Sequence, residues 1–231
     1  MKKRKRSSET AIELSARYPF PTTYGDHFET PRRAYADLAG VLRCAAVERG
    51  VSPAAFRIYD PFYCEGACVA HLASLGFHDV QNPCEDFYAS EAWRGIVDFD
   101  LLCSNPPYSG DHKEKILNFA LACGRPWALL LPAYVVEKSY FPQCGAFFLK
   151  PRRDYAFDHP HGAGSDEAPF VAIWVVHLGP RTDHLYATLR SPFKLRDLPA
   201  LVATKAVRGT KRPSPRQRNR RRHQTAGLMC V

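Results

Sequence analysis

Asn105-Pro106-Pro107-Tyr108 closes the apolar run "DFDLLCS" (98–104), and a small polar loop follows. A strand is poorly continued through two prolines, and so is a helix. The stretch does hold one amide oxygen, one bare carbonyl and one flat ring in a fixed relation. Two rigid acceptors suit a donor such as an amino group on a planar molecule. The Asn105 oxygen and the Pro106 carbonyl could each accept a hydrogen bond from an NH₂, drawing its nitrogen toward tetrahedral geometry and aiming its lone pair. Such a site works by positioning and electrostatic preorganisation. Tyr108 would offer a stacking face, worth about 1–3 kcal/mol for a nucleobase.

Two further expected strands, one short and buried and one weak, end on comparable groups. "FRIYD" (56–60) runs into Asp60-Pro61-Phe62-Tyr63-Cys64-Glu65-Gly66, where the glycine lets backbone approach a ligand closely. "HDVQN" (78–82) is followed by Glu85-Asp86-Phe87-Tyr88. In open α/β sheets ligands bind beyond the carboxyl ends of the strands, which is where all three groups fall.

The surrounding pattern supplies the elements to hold them. A helix is expected from Thr30 as N-cap and Pro31 as first helical residue to Gly50, with Tyr35, Leu38, Val41 and Leu42 on one face. Further helices are expected at 66–77, 112–123 and 134–141, and strands at 56–60, 78–82, 98–104 and 125–132. "GAFFLKP" and "PFVAIWVVHLG" follow as two strands with no helix between them, joined by a Gly/His/Asp-rich loop (158–168). Strands alternating with helices predict a mostly parallel sheet, and the last two strands an antiparallel edge pair.

The net charge of +9 is unevenly placed: residues 2–6 carry five Lys/Arg and residues 205–223 carry nine, both without an acid, so residues 7–204 net −5. Such blocks serve as nuclear-import signals or as electrostatic contacts to nucleic acid, or simply as solvated tails. No apolar run is long enough for a membrane span, and the N-terminus lacks the apolar core of a signal peptide. The eight cysteines show neither CxxC pairs nor metal-ligand spacing, which predicts reduced thiols and no metal.

With Asn105-Pro106-Pro107-Tyr108, "DPFYCEG", "EDFY" and "HFETPRRAYADL" in this order, the chain resembles the S-adenosylmethionine-dependent amino-methyltransferases. That family methylates N6 of adenine, N4 of cytosine or the amide of glutamine; the likeness covers roughly residues 27–178. The chain is similar also to a set of eukaryotic, largely protist, methyltransferase-like proteins. The resemblance implies a Rossmann-like class I methyltransferase fold in residues 18–204; the composition adds a basic flexible N-terminus (1–17) and a basic disordered tail (205–231). It implies catalysis by Asn105, Pro106, Pro107 and Tyr108, and cofactor binding by Phe28, Thr30, Asp60, Phe62, Gly66, Glu85, Asp86 and Phe87. The chain departs from the family pattern at Cys64, where a glycine is usual, and in lacking an acid at the end of the second strand. Asn82 or Glu85 would then hold the cofactor ribose.

Asp111 and His112 are candidate substrate contacts, with a helix N-cap as the alternative; Lys150, Arg152 and Arg153 are candidate phosphate contacts or the base of a hairpin. Trp174 and Phe170 are read as core, and His159 and His161 as no metal pair. The expected activity is methylation of N6 of adenine in RNA, ahead of DNA, in the nucleus or otherwise the cytoplasm, with a protein partner subunit left open. The alternatives are methylation of a protein glutamine and a non-catalytic nucleic-acid-binding module.

Overall fold

The computed structural model describes residues 16–159, 170–190 and 201–204. The basic segments 2–6 and 205–223, and His161, lie outside them. The helices are α1 (Arg32–Arg49), α2 (Ala67–Ala73), α3 (His112–Ala122) and α4 (Thr182–Arg190). The strands are β1 (Ile58–Tyr59), β2 (Val80–Gln81), β3 (Leu101–Ser104), β4 (Trp127–Pro132), β5 (Phe147–Pro151), β6 (Ala172–His177) and β7 (Leu201–Thr204). They form one mixed sheet in the order β2-β1-β3-β4-β6-β5-β7.

β2, β1, β3 and β4 are parallel neighbours, whereas β6 is antiparallel to both β4 and β5, and β7 antiparallel to β5. The sheet is therefore half parallel rather than mostly so, an α/β architecture compatible with a Rossmann-like fold. The chain runs from β1 out to β2 and returns on the other side of β1 to make β3. That reversal opens a crevice between the carboxyl ends of β1 and β3, the usual ligand position in such sheets.

β3 and β4 are buried at every residue because helices cover both faces. Their side chains alternate between two cores. Leu101, Cys103, Ala128 and Leu130 join α1 and α2 on one face. Leu102, Trp127, Leu129 and Leu131 join Ile116 and Leu117 of α3 on the other. Trp174 is fully buried and its indole N–H donates to the Ala34 carbonyl at 3.0 Å, which makes it core, as expected.

Several expectations are corrected. Pro31, extended at φ −65° and ψ 144°, is the N-cap of α1 in place of Thr30. At the other end Gly50 takes the left-handed conformation (φ 74°) that closes the helix. Residues 134–141 form no α-helix: a five-residue 3-10 turn, Ala133–Glu137, ends where Lys138 becomes extended (ψ 148°). The β-branched Val135-Val136 pair favours a helix poorly, and one turn does not repay nucleation. β6 lies between β4 and β5, so the antiparallel pair is internal, and β7 takes the edge. Neither β7 nor α4 was expected.

Candidate functional site

A cleft of about 230 Å³ opens at the carboxyl ends of β1 and β3. Its wall includes all eight residues expected to hold a cofactor, together with Asn105, Pro107 and His112. Sequence positions from 28 to 112 thus converge on one space. Five carboxylates line it (Asp26, Glu29, Asp60, Glu85 and Asp86), with no lysine or arginine among the lining residues. A cleft of this charge suits a cationic ligand.

Asp60, at the end of β1, is the most deeply placed acid, 4% exposed. Its Oδ1 accepts from the Ser104 hydroxyl (2.6 Å) and from the Phe62 N–H (3.2 Å). Burial nevertheless pushes its pKa up to about 7, with Glu29 adding to the rise and the two hydrogen bonds opposing it. Asn82 donates from Nδ2 to the Asp60 carbonyl at 2.9 Å. Its buried Oδ1 has no hydrogen-bond partner among the described residues, and the same holds for Thr22 Oγ1. Both residues line the cleft. Buried polar atoms are rarely left orphaned, so the Asn82 oxygen asks for a ligand donor such as a hydroxyl or amino group, and the Thr22 hydroxyl for a ligand donor or acceptor.

The β1–α2 loop is held from the N-terminal side. Glu29 Oε1 accepts from the Glu65 N–H at 2.6 Å and the Ala67 N–H at 3.5 Å. The Tyr18 hydroxyl donates to Glu65, and His27 Nε2 lies 3.1 Å from the same hydroxyl. Gly66 is left-handed (φ 79°), and a Cβ there would sit 3.2 Å from the Tyr63 ring. This position needs glycine for its own turn and for that ring.

The β3–α3 loop is held from two sides. Asp26 Oδ1 accepts from the N–H groups of Tyr108 and Ser109, both at 3.0 Å. The ammonium of Lys113, only 7% exposed, donates to the Tyr108 carbonyl and reaches those of Ser109 (3.4 Å) and Gly110 (3.5 Å). Tyr108 is not part of the cleft wall. Its hydroxyl lies between two acceptors, Asn105 Oδ1 at 2.6 Å and the Leu130 carbonyl at 2.9 Å, which share its single proton. Its ring meets Phe170 edge-on (centroids 5.2 Å apart) and lines no part of the cleft, as Pro106 also does not. Burial holds the Tyr108 pKa well above the ordinary phenol value, so the hydroxyl stays a donor.

His112 lines the cleft, with Nδ1 2.7 Å from the Tyr88 hydroxyl; burial lowers its pKa and favours the neutral ring. Asp111 is exposed and away from the cleft. It occupies the N-cap position of α3 without making a side-chain cap bond, and pairs instead with Lys115 at 3.1 Å. Lys150, Arg152 and Arg153 also lie outside the cleft wall. β5 runs parallel to β4, so its carboxyl end reaches the same edge of the sheet, three strands beyond β3 or about 14 Å. His159 packs edge-on against Phe28, and no group of metal ligands occurs among the described residues.

Asp26, Glu29, Ser104 and Lys113 were not singled out from the sequence. Ser104 adjoins Asn105 and was open to inference; the others bind backbone distant in sequence or in a turn, which no local pattern marks. No helix among the described residues is long and apolar enough to cross a membrane. Comparison of the chain with family models, with curated proteins and with solved structures finds no match in any of the three.

Proposed function

We propose that this protein is an S-adenosylmethionine-dependent methyltransferase acting on an exocyclic amino group, N6 of adenine in RNA ahead of DNA. The observation that carries the reading is the acid-lined cleft at the β1/β3 crevice, with Asn105 in its wall and the orphaned polar atoms of Asn82 and Thr22 beside it. A sulfonium cofactor with a ribose and an ammonium group matches these in charge and in donors. Asn82 is favoured over Glu85 for a ribose hydroxyl, because its carbonyl oxygen is the one left without a partner.

The cofactor supplies a methyl group on a positively charged sulfur. The protein's part is to hold the accepting nitrogen. Asn105 Oδ1 spends one lone pair on the Tyr108 hydroxyl, which fixes the amide's orientation and leaves the second for a substrate N–H. The resemblance assigns the other N–H to the Pro106 carbonyl, although Pro106 lies outside the cleft wall. Since Tyr108 turns away from the cleft, Phe62 and His112 are rings that can face a planar group beside Asn105. The uneven charge supports a nucleic-acid substrate, because acid-free basic segments attract phosphate backbone without reading sequence.

Calorimetry with S-adenosylmethionine and its demethylated product, followed by mass spectrometry of labelled RNA and glutamine-peptide acceptors, tests this. Binding of both ligands and label on N6 of adenine is expected. Absence of binding at millimolar ligand overturns the enzyme; label on glutamine overturns the substrate.

A further inference from the structure

The segment preceding α1 does more than wall the cleft. Its residues from Phe20 to Thr30 contribute much of the lining, and Phe28 and Thr30 sit on the proposed cofactor side. The same segment sends one carboxylate across to the opposite loop. Asp26 Oδ1 takes the backbone N–H groups of Tyr108 and Ser109 together, over 82 and 83 residues of chain. Lys113 takes carbonyls of the same loop. Every polar hold described on the backbone just after Asn105-Pro106-Pro107 therefore comes from one acid upstream and one base in the following helix.

We infer that Asp26 is a positioning residue, which ties the cofactor-side segment to the loop bearing Asn105 and so sets where the two acceptors point. This rests on the function proposed above. The segment itself is pinned at several points, by Tyr18 to Glu65, by Glu29 to the β1–α2 loop and by the Glu29 N–H to the Asp158 carbonyl at 2.8 Å. Asp26 thus transmits a fixed position rather than a loose contact. Prolines restrict the torsions within the loop, but they do not fix where the loop as a whole lies relative to the cleft. An acceptor shared by two consecutive N–H groups does that. Displacing acceptors by about 1 Å in a reaction that depends on alignment is expected to cost up to about 100-fold.

The test has two arms on the full chain. Hydrogen exchange in peptides covering residues 105–112, measured without any ligand, should quicken in Asp26→Ala while β4 stays protected. In parallel, kcat at saturating cofactor should fall about 10- to 100-fold, while cofactor affinity by calorimetry weakens no more than the loss of one of the five cleft carboxylates explains. Asp26→Asn keeps a carbonyl oxygen in place and should recover most of both losses, an outcome that a purely electrostatic role would not give. Unchanged exchange in Asp26→Ala overturns the inference, as does faster exchange with an unchanged kcat. A fall in cofactor affinity that accounts for the whole loss of activity overturns it too. A wild-type chain that binds no cofactor overturns the proposed function instead, and the exchange arm still reports on the grip.

Discussion

The loops after β1 and β3 face each other across one crevice and are held by two acids of the same segment, Glu29 and Asp26. They differ in what they leave free. In the β1 loop, Glu29 consumes the N–H groups of Glu65 and Ala67, and what remains toward the cleft is the carboxylate of Asp60. In the β3 loop, Asp26 consumes the N–H groups of Tyr108 and Ser109, Lys113 takes carbonyls, and what remains is the second lone pair of Asn105. One loop presents charge and the other presents neutral acceptors. A cation is held best by the first, and an amino group that must stay neutral and nucleophilic by the second. On the function proposed above, this division would give the polar grip on the cofactor to one loop and that on the substrate to the other.

The largest effect should come from the neutral side. Asn105→Ala removes the acceptor proposed to meet the reacting nitrogen; losing one such preorganised group typically costs about 10²–10³ in kcat. Calorimetry should still report cofactor binding within about twofold. Near-normal turnover would break the comparison, because the β3 loop would then carry no chemistry.

Glu29→Ala strikes the other loop. It frees the partly buried N–H groups of Glu65 and Ala67 and removes one of the five carboxylates. Each unsatisfied group costs about 1–3 kcal/mol, and a chain of this size loses about 2–4 °C in Tm per kcal/mol. A fall of several degrees with about tenfold weaker cofactor binding is expected. Glu29→Gln, which keeps the acceptor but not the charge, should restore Tm more than affinity. Equal recovery of both would mean that the cleft's charge is unimportant.

Asp60 makes the charged side pH-dependent. Its folded pKa of about 7 lies above the ordinary 3.8, chiefly through burial. Between those values the folded chain holds a proton that the unfolded chain has released. Stability of the free protein therefore declines as pH rises through that window and levels off above about 7. A cationic ligand favours the ionised form, so cofactor affinity should rise with pH up to about 7 and then flatten. Asp60→Asn should flatten that rise. An affinity independent of pH from 5.5 to 8 in the wild type would remove Asp60 from contact with the cation.

What could be read in advance was whatever sits in consecutive residues. Asp60 to Gly66, Glu85 to Phe87, and Asn105 with its prolines are each a strand end followed by a turn, and the crevice collects them because parallel strands end on the same edge. Hidden were the side chains whose partners are backbone atoms far along the chain. Asp26 and Glu29 look like ordinary loop acids until β1 and β3 are neighbours. Lys113 reads as an exposed helical residue, yet it folds back on the turn before its own helix. The error at 134–141 has another origin, since an apolar face fits a single 3-10 turn as well as a helix. For Tyr108 the ring was legible and its direction was not, because that direction depends on the carbonyl of Leu130 on the neighbouring strand.

Tyr108→Phe sharpens the comparison with the smallest change, one oxygen atom. The hydroxyl links Asn105 Oδ1 to Leu130 of β4, so removing it leaves the ring packed against Phe170 while the Asn105 amide loses its anchor. Leu130 also lies in the ladder opposite Trp174, so the fold keeps its register. A net hydrogen bond of about 0.5–1.5 kcal/mol corresponds to a loss of about 2- to 12-fold in kcat, with cofactor affinity unchanged. The rival role, a stacking face for the substrate, makes the opposite ranking. Phenylalanine would then be nearly silent, and Tyr108→Ala would cost the stacking energy of about 1–3 kcal/mol. Steady-state kinetics on the two variants separates them. A Phe variant that loses most of what the Ala variant loses makes Tyr108 an anchor for the neutral acceptor. A Phe variant equal to wild type returns the ring to the substrate, and the β3 loop must then rearrange to bring it into the cleft.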